Sequence, residues 1–96
     1  MHVISKKALR QFWKLHPDAE QPLRRWFKIV LAADWRSFAE VRAVYASADQ
    51  VGQFTVFNIG GNKYRLIAAI HYNRGKVYIR HVLTHEEYDC DEWKEA

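Results

Sequence analysis

Lys63, Arg65 and Arg80 stand in β-rich runs of the second half of this chain, and His85 and Tyr88 follow them closely. Lysine and arginine bind phosphates and stabilise the charge that develops in phosphoryl transfer. His85 and Tyr88 can each move a proton, and three residues apart on a helix they point to roughly the same side. An imidazole titrates closer to neutral pH than a phenol, so Tyr88 needs cationic neighbours to act as a base. Arg65 and Arg80 are the residues that could supply them. The competing reading is plain: Thr84 and Glu87 cap a helix, Tyr88 packs in a core, and the cations line a solvated sheet face.

Strand alternation decides whether these groups meet. Phe54 to Ile59 reads as a strand, Gly60-Gly61 as a two-residue hairpin turn, and Asn62 to His71 as the next strand. Asn73-Arg74-Gly75 supplies another turn, and Lys76 to Leu83 a third strand. In the middle strand Lys63, Arg65, Ile67, Ala69 and His71 share one face, opposite Tyr64, Leu66, Ala68 and Ile70. Turns of even length then bring Arg80, Tyr78 and Thr84 to the face of Lys63 and Arg65, and Asn58 joins by the same parity. His81 and Leu83 fall on the opposite, apolar face. An odd turn without a compensating bulge breaks this grouping. The cationic face suits RNA, with Asn58, Lys63, Lys76 and Tyr78 as contacts and Tyr78 available to stack on an unpaired base.

The first half must support that sheet. Val3-Ile4 opens as a short strand, and Ser5 caps a helix with Ala8, Leu9, Phe12 and Trp13 on one stripe. His16-Pro17 ends it, because the residue before proline is pushed out of helical geometry. A second helix starts near Asp18 or Gln21-Pro22, with Leu23, Trp26, Phe27, Val30 and Leu31 as its apolar face. Ser37-Phe38-Ala39-Glu40 is a capping-box pattern for a third helix through Val44, and Tyr45 to Gln53 reads as loop. Thr84-His85-Glu86-Glu87 is a second such pattern, opening a short terminal helix. The expected fold is α+β, an N-terminal strand and helices packed on a small antiparallel sheet, in one domain over residues 1–96.

Composition narrows the function class. The chain has 96 residues, 49% hydrophobic and 27% charged, an ordinary globular balance. Its single cysteine, Cys90, allows no internal disulfide and suits a reducing cytoplasm. No stretch approaches the length of a membrane span, and neither a zinc-ligand spacing nor a phosphate- or dinucleotide-binding glycine motif is present. Charge is unevenly placed: residues 1–84 carry 14 Lys and Arg against five acids, whereas residues 85–96 carry six acids against Lys94. A basic body with an acidic tail attracts polyanions, or equally an acidic protein.

Taken in order, the residues resemble the HigB family of the RelE-like toxin superfamily. The resemblance runs through Val3-Ile4-Ser5-Lys6-Lys7-Ala8-Leu9, Ala33-Asp34-Trp35, Phe38-Ala39-Glu40 and Ala48-Asp49 with Val51-Gly52. It is most specific at Val56 to Leu66, then at Val77-Tyr78-Ile79-Arg80 and at Thr84 to Asp89. It implies the toxin of a type II toxin–antitoxin pair, acting as a metal-independent, ribosome-dependent mRNA endonuclease without cofactor. The implied reaction is attack of the ribose 2′-hydroxyl on the adjacent phosphate, giving a cyclic phosphate and a 5′-hydroxyl. Lys63, Arg65 and Arg80 would then handle phosphate charge, and His85 and Tyr88 acid–base work. The implied partners are a HigA-type helix-turn-helix antitoxin, the ribosome with its mRNA, and operator DNA only through the antitoxin. Two alternatives stay open: a ParE-like gyrase-inhibiting toxin, and a catalytically inactive module that binds antitoxin or nucleic acid.

Overall fold

The computed structural model describes residues 1–95; Ala96, where the acidic tail ends, and the Glu95 side chain lie outside the described residues. Strand β1 (His2–Ile4) leads into helix α1 (Lys6–Leu15), a 3-10 turn and helix α2 (Glu20–Ala32). Helix α3 (Phe38–Val44) precedes strands β2 (Asp49–Val51), β3 (Phe54–Ile59), β4 (Tyr64–His71) and β5 (Lys76–Thr84), and helix α4 (His85–Asp89) follows. The five strands form one sheet in the order β1-β5-β4-β3-β2. It is mixed rather than antiparallel, because β1 runs parallel to β5. No helix among the described residues is long and apolar enough to cross a membrane.

The helices form as the apolar spacing requires, and their ends show the local physics. Leu9 is buried on α1 with Ala8, Phe12 and Trp13 half-buried beside it. Ser5 takes the extended N-cap conformation without a side-chain bond, and His16 leaves helical geometry ahead of Pro17. On α2, Leu23, Trp26 and Val30 are buried, but Leu31, expected with them, is 48% exposed. It lies at the edge of the stripe in the helix's last turn. The expected capping box of α3 does not close: Ser37 makes no side-chain cap, and the Glu40 carboxylate accepts the amide of Arg36, one residue further back.

Two departures in the sheet bear on the site. The segment Tyr45 to Gln53, expected as loop, contains β2, which pairs through Asp49 with Val56 and Val51 with Phe54. Three residues with one apolar side chain carry no alternation signal; pairing across the Gly52-Gln53 turn makes them a strand. The turn at Gly60-Gly61 spans four residues, not two, since Ile59 pairs with Tyr64. Both glycines hold left-handed backbone, φ +63° and +70°, and the amide of Lys63 closes the turn on the Gly60 carbonyl.

The larger correction is a β-bulge. Ala68 pairs with Ile79 but Ile67 pairs with His81, so Arg80 is the extra residue. Beyond it the faces of β5 exchange: Arg65 opposes Leu83 and Tyr64 opposes Thr84. His81 and Leu83, expected on the apolar face, therefore lie on the face of Arg65, and Thr84 lies on the other. Phe57, Ile59, Tyr64, Leu66, Ala68 and Val77 pack under Leu9, Leu23, Trp26, Val30 and Val41 as the main core. A second, smaller core covers the opposite face, where Phe54, Val56 and Ile67 are sealed by Trp93.

Candidate active site on the second sheet face

Arg65 sits at the centre of this face, opposite Asn58 on β3 and Leu83 on β5. It is only 9% exposed. Its Nη1 donates to the carbonyls of Asn62 and Tyr64, each at 3.1 Å, and its guanidinium lies 5.5 Å from the ring centre of Tyr88. No carboxylate pairs with it among the described residues. A guanidinium has five N–H donors in a planar fork, and burial without an anion leaves it suited to a phosphate or to a pentacoordinate phosphorane.

Tyr88 reaches that guanidinium because α4 is tied down at its start. Thr84 and Glu87 form a complete capping box, with bonds of 2.9 and 3.2 Å, and the amide of His85 donates to the Lys63 carbonyl. The other half of the pair turns elsewhere. His85 places Nδ1 2.9 Å from a carboxylate oxygen of Asp89, and both side chains are about half exposed. The two groups expected on one side thus have different partners: Tyr88 meets the sheet and His85 meets the next turn of its own helix.

The cations are also sorted differently from expectation. Arg80 reaches this face, its guanidinium 6.0 Å from the ring centre of Phe54, but it arrives as the bulged residue rather than by even parity. Lys63 is not part of the face. Because β4 starts at Tyr64, Lys63 belongs to the turn and escapes strand alternation, and its ammonium pairs at 3.1 Å with Asp18. Asp18 also accepts the Tyr64 hydroxyl, and those two bonds hold its carboxyl below the usual range. The same bond pushes the Tyr64 phenol up. Tyr78 opposes Ala69 and Lys76 opposes His71, on the same face but at the far end of β5 from α4. From Tyr78 to Leu83 the strand runs about 16 Å at roughly 3.3 Å per residue. Tyr78 meets His71 in a T-shaped contact, with ring centres 5.1 Å apart.

Two residues enter the site that sequence reasoning missed. His81, carried onto this face by the bulge, lines a cavity of about 310 Å³ with Leu83, Glu87, Cys90, Glu92 and Trp93. Burial, then the adjacent Arg80 charge, pushes its pKa below the ordinary histidine value, which keeps the imidazole neutral at pH 7. Trp93 stacks on Tyr88. Neither has a local signature: the bulge that places His81 depends on pairing with β4, and Trp93 follows a chain reversal after α4. Among the described residues no three His, Cys, Asp or Glu side chains gather as a metal site.

The comparisons with known proteins point to one family. Residues 19–91 match the HigB_toxin family, described as the RelE-like toxic component of a toxin–antitoxin system. The mRNA interferase toxin HigB of Escherichia coli (strain K12) is 33% identical over 92 residues, covering 93% of this chain and 88% of that protein. The mRNA interferase HigB of Shigella flexneri matches to the same extent. The mRNA interferase HigB of Escherichia coli O6:H1 is 26% identical over 92 residues, covering 93% of this chain and 89% of its own.

Proposed function

This chain belongs to the HigB toxin family of RelE-like toxins, and we propose that it cuts mRNA on the ribosome through Arg65 and Tyr88. It is the toxic component of a toxin–antitoxin pair and an mRNA interferase, an endoribonuclease. The observation that carries the site assignment is the buried Arg65 guanidinium, without a carboxylate partner among the described residues and set over the Tyr88 ring.

In the proposed reaction the 2′-hydroxyl of one nucleotide attacks its 3′-phosphate, and the bond to the next 5′-oxygen breaks. The products are a 2′,3′-cyclic phosphate and a 5′-hydroxyl, so one proton leaves the 2′-oxygen and one reaches the 5′-oxygen. Arg65 binds the non-bridging oxygens and gains strength as the phosphorane gathers charge, with Arg80 adding a second cation. Tyr88, beside the guanidinium, handles one proton. His85 handles the other: Asp89 at Nδ1 fixes the tautomer and leaves Nε2 as the basic nitrogen. Lys63 serves by another route, through the Asp18 pair and the carbonyl that anchors α4. Asn58, Lys76 and Tyr78 extend the face along which RNA would lie. The antitoxin that neutralises the enzyme is of the HigA helix-turn-helix kind, and operator DNA is reached only through it.

Two substitutions test this reading. Arg65→Ala should lower mRNA cleavage on programmed ribosomes by about 100-fold or more, and its expression should no longer arrest growth. Tyr88→Phe, which removes only a hydroxyl, should lower cleavage while the circular dichroism spectrum and melting curve stay unchanged. A folded Arg65→Ala protein cutting at the wild-type rate would overturn the assignment, and growth arrest with intact transcripts would redirect it to gyrase.

A further inference from the structure

We infer that Trp93 is a positioning residue for the endonuclease, holding the Tyr88 ring against the Arg65 guanidinium; this rests on the reading of Tyr88 as a proton-transfer group. α4 has only five residues, too few to be stable as an isolated helix. Its capping box secures the N-terminal end, whereas Tyr88 sits near the other end. There the chain reverses through Asp91, which adopts left-handed backbone at φ +61°, with its amide bonded to the Tyr88 carbonyl. The reversal brings Trp93 back beneath α4.

Trp93 then holds Tyr88 in two ways. Its indole stacks on the phenol ring, with centres 5.2 Å apart and planes 14° from parallel, and its Nε1 donates to the Tyr88 carbonyl at 3.0 Å. One contact fixes the ring and the other fixes the backbone that bears it. Trp93 is itself anchored: it is 4% exposed, meets Phe54 edge-on at 6.1 Å, and seals Val56 and Ile67 on the sheet. Phe54 also lies under Arg80, so one aromatic cluster contacts Tyr88 and the second cation of the site. A misplacement of about 1 Å in a group that must meet a reacting atom costs up to about 100-fold in rate. The contacts of Trp93 are of the kind that prevent such drift.

A purely structural Trp93 would lower stability but would act the same whether or not Tyr88 carries its hydroxyl. The test is therefore a double-mutant cycle on ribosome-dependent cleavage, with kcat and KM separated and every variant assayed well below its melting temperature. Trp93→Phe keeps an aromatic filler and loses the N–H; Trp93→Ala loses both. In the parent background Trp93→Ala should lower kcat about tenfold or more with little change in KM, and Trp93→Phe should fall between. In the Tyr88→Phe background the same changes should alter kcat less than about twofold. The Tyr88 ring-proton resonances, assigned by difference with Tyr88→Phe, should be displaced upfield in the parent and return toward ordinary values in Trp93→Ala. Equal losses in both backgrounds, or a folded Trp93→Phe and Trp93→Ala pair with parental kcat, would overturn the positioning role while Tyr88 kept its own. Parental kcat in Tyr88→Phe alone would instead remove the reading on which the inference stands.

Discussion

Arg65 holds its charge where charge is expensive, beneath a half-buried aromatic ring and with two main-chain carbonyls as its hydrogen-bond partners. That residue was legible as a candidate, since a cation within an apolar strand run draws attention. Its contact with Tyr88 was not, because it is made between a strand and a helix that share no local pattern. The same holds for Lys63, whose partner Asp18 lies 45 residues away in the chain. His81 is the residue whose environment was misread most, and it gives a test in pH. Its folded pKa is depressed by burial and by Arg80, so the unfolded chain binds its proton more readily. The stabilising contribution of a neutral His81 is thus complete above the unfolded value, about 6.5, and is lost as pH falls through the lower folded value. Urea midpoints of the parent should fall between pH 7.5 and pH 5.5, and His81→Gln should flatten part of that fall. An identical pH dependence in the two proteins would show that His81 is not its source.

Elements explain why the site was half readable. The helix faces, Leu31 apart, and the β3–β4–β5 meander follow from hydrophobic period and turn residues, and the four-residue turn at Gly60 to Lys63 preserves the even parity expected of a two-residue one. Neither the bulge at Arg80 nor strand β2 has a local signal, because each exists only through pairing with a neighbouring strand. Of the two capping patterns, the one at Ser37 stays open and the one at Thr84 closes, although both have an acid three residues on. The difference matters for α4, which has few hydrogen bonds of its own. Thr84→Ala should cost about 1 kcal/mol in chemical denaturation, and Thr84→Ser should recover most of it. Because α4 carries Tyr88, Thr84→Ala should also lower cleavage more than it lowers affinity for the ribosome. Loss of stability without loss of cleavage would mean that the Trp93 side alone suffices to hold the helix.

At the scale of the whole molecule, charge is divided between a basic body and an acidic tail, and the fold lays that tail beside the active face. Glu87, Cys90 and Glu92 line the same cavity as His81 and Trp93, so two carboxylates stand close to the face on which the phosphate chain is proposed to lie. If RNA follows the proposed site, the tail is both a structural support, through Trp93, and an electrostatic opponent of RNA. These two effects separate by substitution. Glu87 belongs to the capping box and Asp89 to the His85 pair, but Glu86, Asp91 and Glu92 can be neutralised without removing either. Asparagine tolerates the left-handed backbone at position 91. A Glu86→Gln, Asp91→Asn, Glu92→Gln protein should bind short single-stranded RNA roughly three- to tenfold more tightly at about 0.05 M salt, where the screening length exceeds about 10 Å. The gain should shrink steadily as salt rises, and discrimination between ribosome-bound and free RNA should narrow with it. Filter binding across a salt series measures the first effect, and cleavage of free against ribosome-bound transcripts measures the second. A gain that persisted unchanged at high salt would mean that the carboxylates block RNA sterically rather than by field. No gain at all would mean that RNA crosses the sheet away from the tail.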